Sequence, residues 1–195
     1  MSLKVGVLAL QGAFIEHIAM LAALDVEAVD VRLPSQLESL DGLVIPGGES
    51  TTISRLMSEY GLFRPLQEMA RSGFPMMGTC AGLIMLARLP RGSHPPTLHA
   101  MDVVVRRNAY GRQVDSFETD LQIPTLGSDP FHGVFIRAPS IEEVGAAATA
   151  LCQLSNGGGV VAARQGRLLG CTFHPELTRD SRLHRYFLDI VAGTA

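Results

Sequence analysis

In the first half of the chain, short β-like apolar runs alternate with helical patterns, and this order limits the available folds more than any other feature. The run "LKVGVLAL" reads as a strand and residues 13–24 as a helix. "VEAVDVR" and "GLVIP" read as the second and third strands. A helix follows "GGEST", another covers residues 62–71, and "FPMMGT" is a fourth strand leading into a helix from Ala81. Strands separated in this way form βαβ units, so a parallel sheet with helices on both faces is expected. The second half differs. "DVVVRR", "SFETDLQI", "GVFIRAP", "VVAARQ" and "RLLGCTF" read as strands with few helices between them, expected to extend the sheet partly antiparallel. Residues 181–192 read as a closing helix. The segment "LPRGSHPPTLHA", rich in Pro and Gly, is the best candidate for a mobile loop. The expected architecture is a three-layer α/β/α fold with a mixed, mostly parallel sheet. At 195 residues and 47% hydrophobic, the chain has the size and core of a single domain, residues 1–195.

Charge and composition exclude several classes of function. The net charge is −3, with acidic and basic residues mixed along the chain, so neither nucleic acid nor a membrane surface is an expected partner. There is no Trp, and aromatics make up 6%, which argues against a base-stacking platform. The apolar stretch near the start is too short to span a bilayer and carries no basic segment before it. Cys80, Cys152 and Cys171 are odd in number and widely spaced, which suits a reducing compartment, and a cytoplasmic location is expected. No CxxC or clustered His/Cys pair suggests a metal, and no cofactor is expected.

Cys80 stands out because of its setting, Gly78-Thr79-Cys80-Ala81-Gly82, between a strand and a helix. This is the frame of a nucleophile elbow with Cys in place of Ser. The glycines allow the bend and the close approach of strand and helix. The helix N-terminus favours a thiolate, and the Ala81 N–H points where an oxyanion would form. The alternative is a core thiol beside a turn. A nucleophile needs a base, and "TFHPEL" supplies one. Pro175 extends the chain at His174, and residues two apart in extended chain face the same way. Glu176 is thus placed to fix the tautomer of His174 while His174 takes the cysteine proton. The other reading is a loop His and a surface Glu. The remaining histidines, His17, His94, His99, His132 and His184, lack such an arrangement.

"IPGGESTT" closes the third strand. Gly47 and Gly48 can present N–H groups to an anion, and their peptide can reorient cheaply. Glu49 sits at a helix start, with Ser50, Thr51 or Thr52 as caps. Either a second oxyanion donor with a polar substrate anchor or a capped turn fits this stretch. It is not a phosphate loop, because the GK[ST] ending is missing. "RRNAYGRQVDSFE" reads alone as an exposed hairpin, and "FIRAPSI" puts Arg137 at a strand end. Their arginines suit a carboxylate or a solvated surface equally well.

Taken together, "GVLALQGAF", "PGGESTT", "GTCAGLI", "RRNAYGRQVDSFE", "FIRAP" and "GCTFHPEL" resemble the class I, triad-type glutamine amidotransferases. The match runs nearly end to end. It is nearest to the glutaminase subunits of pyridoxal 5′-phosphate synthases, for which the combination of PGGES, RNxxGRQxDSFE and FIRAP is specific. The resemblance implies the flavodoxin-like class I amidotransferase fold. It carries the nucleophile, base and orienting acid to Cys80, His174 and Glu176. It carries glutamine contacts to Gly48, Glu49, Ser50, Arg107, Ile136 and Arg137. It implies hydrolysis of L-glutamine through a glutamyl thioester, with an oxyanion held by N–H groups near Gly48 and Ala81. Ammonia would pass through a tunnel to a separate synthase subunit that builds the vitamin B6 ring and activates the glutaminase in the complex. "PRGSHPPTLHAMD" departs from the Gly-Leu-rich stretch expected there. The alternatives are a glutaminase serving another synthase, a binding subunit with a decayed triad, and a stand-alone cysteine peptidase or hydrolase.

Overall fold

The computed structural model describes residues 2–89, 95–107, 116–155 and 157–195. Four strands in the first half, β1 (Lys4–Leu8), β2 (Glu27–Val31), β3 (Gly42–Ile45) and β4 (Met76–Thr79), alternate with helices α1 (Phe14–Ala22), α2 (Ser50–Glu59), α3 (Phe63–Arg71) and α4 (Ala81–Leu86). The second half adds β5 (Val103–Arg106), β6 (Ser116–Leu121), β7 (Phe131–Ile136), β8 (Ser140–Val144), β9 (Thr149–Gln153), β10 (Val160–Gln165) and β11 (Leu168–Cys171), and closes with α5 (Arg182–Ala192).

The main sheet runs β2-β1-β3-β4-β11-β10-β8-β5, with β9 also paired to β10. Pairings from β2 to β11 are parallel, and those beyond β11 are antiparallel. The inner parallel strands β1, β3, β4 and β11 are buried on both faces, so alternate residues feed two cores. Leu8, Leu43, Ile45 and Met76 face α2, α3 and α4, whereas Val5, Val7, Val44 and Met77 face α1 and α5. This is the expected three-layer arrangement. It brings the carboxyl ends of β1, β3, β4 and β11 side by side, including the β1/β3 point where strand order reverses and open α/β sheets place their ligands.

The second half departs from expectation in three places. β6 and β7 do not extend the main sheet; they pair with each other as a separate ribbon. The ribbon seats Phe131 and Phe135 against Phe173, with ring centroids 5.7 and 5.6 Å apart. β8 and β9 were not among the strands expected from sequence. Much of the proposed mobile loop is anchored: Thr97 and Leu98 are buried, the Thr97 hydroxyl donates to the Ala87 carbonyl at 2.7 Å, and the Leu98 N–H to that of Met85 at 2.8 Å. Apolar Leu98 drives this docking, which the Pro and Gly content around it obscured. Residues 90–94 of that loop, and 108–115 of the expected "RRNAYGRQVDSFE" hairpin, lie outside the described residues. Among the described residues no helix is long and apolar enough to cross a membrane.

Candidate active site

Cys80 sits between the end of β4 and the start of α4, with φ 48° and ψ −106°. A non-glycine residue with positive φ is strained, and a nucleophile elbow stores its strain at this position. The turn fits because Gly82 has no side chain: a Cβ there would collide with the Ile45 carbonyl oxygen on β3. The Cys80 N–H donates to the Cys171 carbonyl at 2.9 Å, extending the β4–β11 ladder by one rung. Neighbouring strands lie about 4.8 Å apart, so β11 delivers His174 next to the thiol.

His174 is 7% exposed and Glu176 5%. Nδ1 of His174 lies 2.7 Å from Oε1 of Glu176, leaving Nε2 for the thiol, which lines the same cleft as the ring. Burial, the largest single influence, opposes a charged imidazole. The hydrogen bonds and charges of Cys80 and Glu176 outweigh it and raise the His174 pKa to about 10. The backbone N–H of His174 donates to the Val134 carbonyl at 2.8 Å, so the β6–β7 ribbon clamps this residue. The Cys80 thiol lies 3.9 Å from the Ile136 carbonyl. Burial also pushes the other thiols up, Cys152 to about 11 and Cys171 well above the usual range. They are poor nucleophiles by comparison.

Across the cleft, Gly47 and Gly48 follow β3. A Cβ on Gly47 would overlap the His174 ring, so only glycine lets the imidazole in. The Gly47 carbonyl accepts from the Ala13 N–H at 3.0 Å, and its N–H donates to the Thr79 hydroxyl at 3.1 Å. Glu49 itself caps α2: its carboxylate accepts from the Thr51 and Thr52 N–H groups at 3.0 and 2.7 Å. This corrects the expectation that Ser50, Thr51 or Thr52 would do so. A carboxylate can take two orphan N–H groups where a hydroxyl takes one. Slight burial opposes the charge, but these bonds hold the Glu49 pKa at about 2. Arg107 Nη2 lies 3.2 Å from Glu49 Oε1.

The cleft of about 330 Å³ is lined by Gly48, Glu49, Ser50, Cys80, Ala81, Arg107, Ile136, Arg137 and His174. Every residue named from sequence for substrate or oxyanion contact is therefore at the cleft, and Glu176 stands behind His174. Sequence reasoning passed over three residues. Gln11 also lines the cleft, and its Oε1 accepts from the Glu49 N–H at 2.7 Å. It lay inside a quoted motif, "GVLALQGAF", without a role. His17 and His184 show no catalytic arrangement in the sequence, yet His17 Nε2 lies 3.3 Å from Glu176 Oε2 and His184 contacts His17. Their only sequence signal is a histidine within the apolar stripe of an amphipathic helix. Among the described residues no His, Cys, Asp and Glu cluster could hold a metal ion. Chemically, the site offers a strained thiol, a base oriented by a buried carboxylate, backbone N–H groups, and charges of both signs at the cleft mouth.

The family model for the SNO glutamine amidotransferase family matches residues 7–192. The pyridoxal 5′-phosphate synthase subunit PdxT of Pelotomaculum thermopropionicum is 58% identical, over 96% of this chain and 94% of the relative. That of Moorella thermoacetica is 54% identical, over 97% and 100%. A crystal structure of a glutamine amidotransferase superimposes with a TM-score of 0.90 at 48% identity, covering 96% of this chain and 98% of the other. PurLQS from Thermotoga maritima shares the fold at 12% identity, with a TM-score of 0.70 over 97% and 99%.

Proposed function

The chain belongs to the SNO glutamine amidotransferase family, and on that premise we propose how its cleft hydrolyses glutamine. It is the glutaminase subunit of a pyridoxal 5′-phosphate synthase, with L-glutamine as substrate and a separate synthase subunit as partner. The observation that carries the mechanism is the buried alignment of Cys80, His174 and Glu176, with the 2.7 Å contact between the last two.

The thiol proton rests on His174 Nε2, whose raised pKa favours the charged ring, and Cys80 Sγ attacks the side-chain amide carbon of glutamine. The carbonyl oxygen becomes an oxyanion held by N–H groups of Gly48 and Ala81; the first N–H groups of a helix lack intrahelical acceptors. The C–N bond then breaks and the nitrogen leaves as ammonia with the proton from His174. A γ-glutamyl thioester remains on Cys80. Water attacks it, His174 accepts the water proton, and the C–S bond breaks to release glutamate and the thiol. The balance is glutamine plus water to glutamate plus ammonia. Throughout, Glu176 keeps the imidazole in one tautomer. Arg107 and Arg137 face the α-carboxylate of the substrate and Glu49 its α-ammonium, with Ser50 and Ile136 completing the pocket. Ammonia passes to the synthase subunit. The three free cysteines suit a cytoplasmic setting.

The test is a glutaminase assay with and without the cognate synthase subunit, on the wild type and on Cys80→Ala. Hydrolysis by the wild-type complex and none by the variant is expected. Undiminished hydrolysis by Cys80→Ala would remove Cys80 from the mechanism.

A further inference from the structure

Behind the candidate triad the fold buries a second pair of imidazoles. His17 on α1 and His184 on α5 are fully buried, and His184 Nε2 lies 2.9 Å from His17 Nδ1. The other nitrogen of His17, Nε2, lies 3.1 Å from the Thr79 hydroxyl and 3.3 Å from Glu176 Oε2. The contact with the hydroxyl has hydrogen-bond geometry, its donor set by the ring tautomer. Oε2 has no hydrogen-bond partner of its own among the described residues and faces Nε2 as a charge facing a dipole. The Thr79 hydroxyl also accepts the Gly47 N–H. A single imidazole thus backs both walls of the cleft, the Glu176 side and the Gly47 side.

Proton counting fixes which nitrogen carries hydrogen. Burial first, then His184 and His174, hold the His17 pKa well below its ordinary value, and burial holds that of His184 at about 4. Both rings are neutral near pH 7, each with one N–H. Suppose His17 carried its hydrogen on Nδ1. Its bare Nε2 would then oppose the Glu176 lone pairs, and His184 would carry a hydrogen on Nδ1, which has no partner among the described residues. An unpaired buried donor and two opposed acceptors are both costly. With the opposite tautomers, His184 donates from Nε2 to His17 Nδ1, and His17 donates from Nε2 toward Thr79 and Glu176. The His184 Nδ1 acceptor and the Thr79 hydroxyl hydrogen are then left without partners among the described residues, but the costlier defect, a bare nitrogen 3.3 Å from the Glu176 carboxylate, is removed.

We propose that His17, clamped by His184, is a positioning residue for glutamine hydrolysis, its Nε2–H steadying Glu176 behind His174 and the Thr79 hydroxyl behind Gly47. The inference rests on the glutaminase reading above. β1 contributes apolar Val5 and Val7 to this core, so the polar groups acting on His17 are those of Thr79, Glu176, His174 and His184 already named.

The test uses the complex with the cognate synthase subunit. His17→Leu should lower kcat about ten- to a hundredfold, the cost of a small misplacement of reacting groups, while KM for glutamine stays within about twofold. His17→Gln, which keeps an amide N–H on a side chain of similar reach, should recover most of the loss. In a Glu176→Gln background the Leu substitution should cost less than about threefold, because coupled residues are not additive. A folded His17→Leu with wild-type kcat, a change in KM alone, or equal losses in both backgrounds would overturn the proposal. If His17→Leu does not fold, His184→Phe serves instead: it keeps a ring in the same space and removes the N–H that sets the tautomer. It should lower kcat, and unchanged kcat would overturn the proposal. Failure of the wild-type complex to hydrolyse glutamine would overturn the glutaminase reading itself; losses confined to the variants bear on His17 alone.

Discussion

His174 and Glu176 are almost wholly withdrawn from water, whereas across the same cleft the Glu49 and Arg107 side chains remain 52% and 29% exposed. The first wall is formed where the parallel strands β4 and β11 end, above two packed cores. The second is built from the turn after β3 and from Arg107, Ile136 and Arg137, which lie next to the antiparallel strands and the ribbon. The contrast separates two tasks. Bond making needs groups fixed in a low-dielectric setting, where charge interactions are strong. Capturing a zwitterion from solution needs charges that stay wet until it arrives. Substitutions on the buried wall should therefore act on kcat and those on the exposed wall on KM.

The largest effect falls on the buried wall. Cys80→Ala should abolish hydrolysis, a loss on the order of a millionfold when a triad nucleophile is removed, with the fold retained. A diazo-type glutamine analogue should label Cys80 and leave Cys152 and Cys171 untouched, as peptide mapping by mass spectrometry would reveal. His174→Asn should cost more than Glu176→Gln, because proton transfer is direct and orientation is support; general acid–base groups contribute about 10²–10⁴. Next comes the partner. The Gly47 carbonyl is tied to the Ala13 N–H, so that peptide can change orientation only by giving up this bond. Losing one oxyanion donor costs about a hundred- to a thousandfold. The isolated chain should therefore turn over poorly, and adding the synthase subunit should raise kcat by up to that factor. Equal kcat with and without it would show a site already assembled.

Arg107→Ala and Arg137→Ala address the exposed wall. Each should raise KM by about ten- to a hundredfold, corresponding to roughly 1.5–3 kcal/mol for a hydrogen bond to a charged group, with kcat little changed. A fall in kcat at constant KM would move that arginine to the chemical wall. A subtler effect concerns His174. Its pKa of about 10 exceeds the unfolded value of 6.5. Its stabilising share is complete below pH 6.5 and is lost as pH rises through 10. Cys80→Ala removes one of the groups that raise this pKa, so its thermal stability should decline less steeply between those pH values. Parallel profiles for the two proteins would contradict the coupling.

The same division governs what could be read from sequence. β3 and β4 are continuous apolar runs bounded by Gly and Pro, since both their faces are buried. β8 and β9, SIEEV and TALCQ, are half-exposed and polar enough to pass for loop. β6 and β7 were legible as strands from their alternation, but a period of two reveals a face and not which sheet a strand joins. Cys80 and His174 were marked by their glycine and proline neighbours. His17 and His184 were not marked: they occupy core positions of α1 and α5, and a contact across 167 residues leaves no local trace.

Glu49 belongs to both descriptions and gives the smallest and most discriminating effect. It faces the cleft and caps α2, and it anchors Arg107. Glu49→Gln retains an oxygen for the cap but loses the charge that pairs with Arg107, and a solvent-exposed pair contributes about 0.2–1 kcal/mol. The expected result is a drop in melting temperature of a few degrees and a KM increase of several fold, with kcat preserved. The pH dependence has a definite sign. A carboxyl group held at about 2 is lower than its ordinary 4.5, so its stabilisation is full above 4.5 and fades as pH falls toward 2. The wild type should therefore lose its advantage over Glu49→Gln across that acid range, as thermal melts of the two proteins would show. Collapse of kcat at unchanged KM in Glu49→Gln would mean that this exposed carboxylate acts on the reacting atoms, and the division between the two walls would fail.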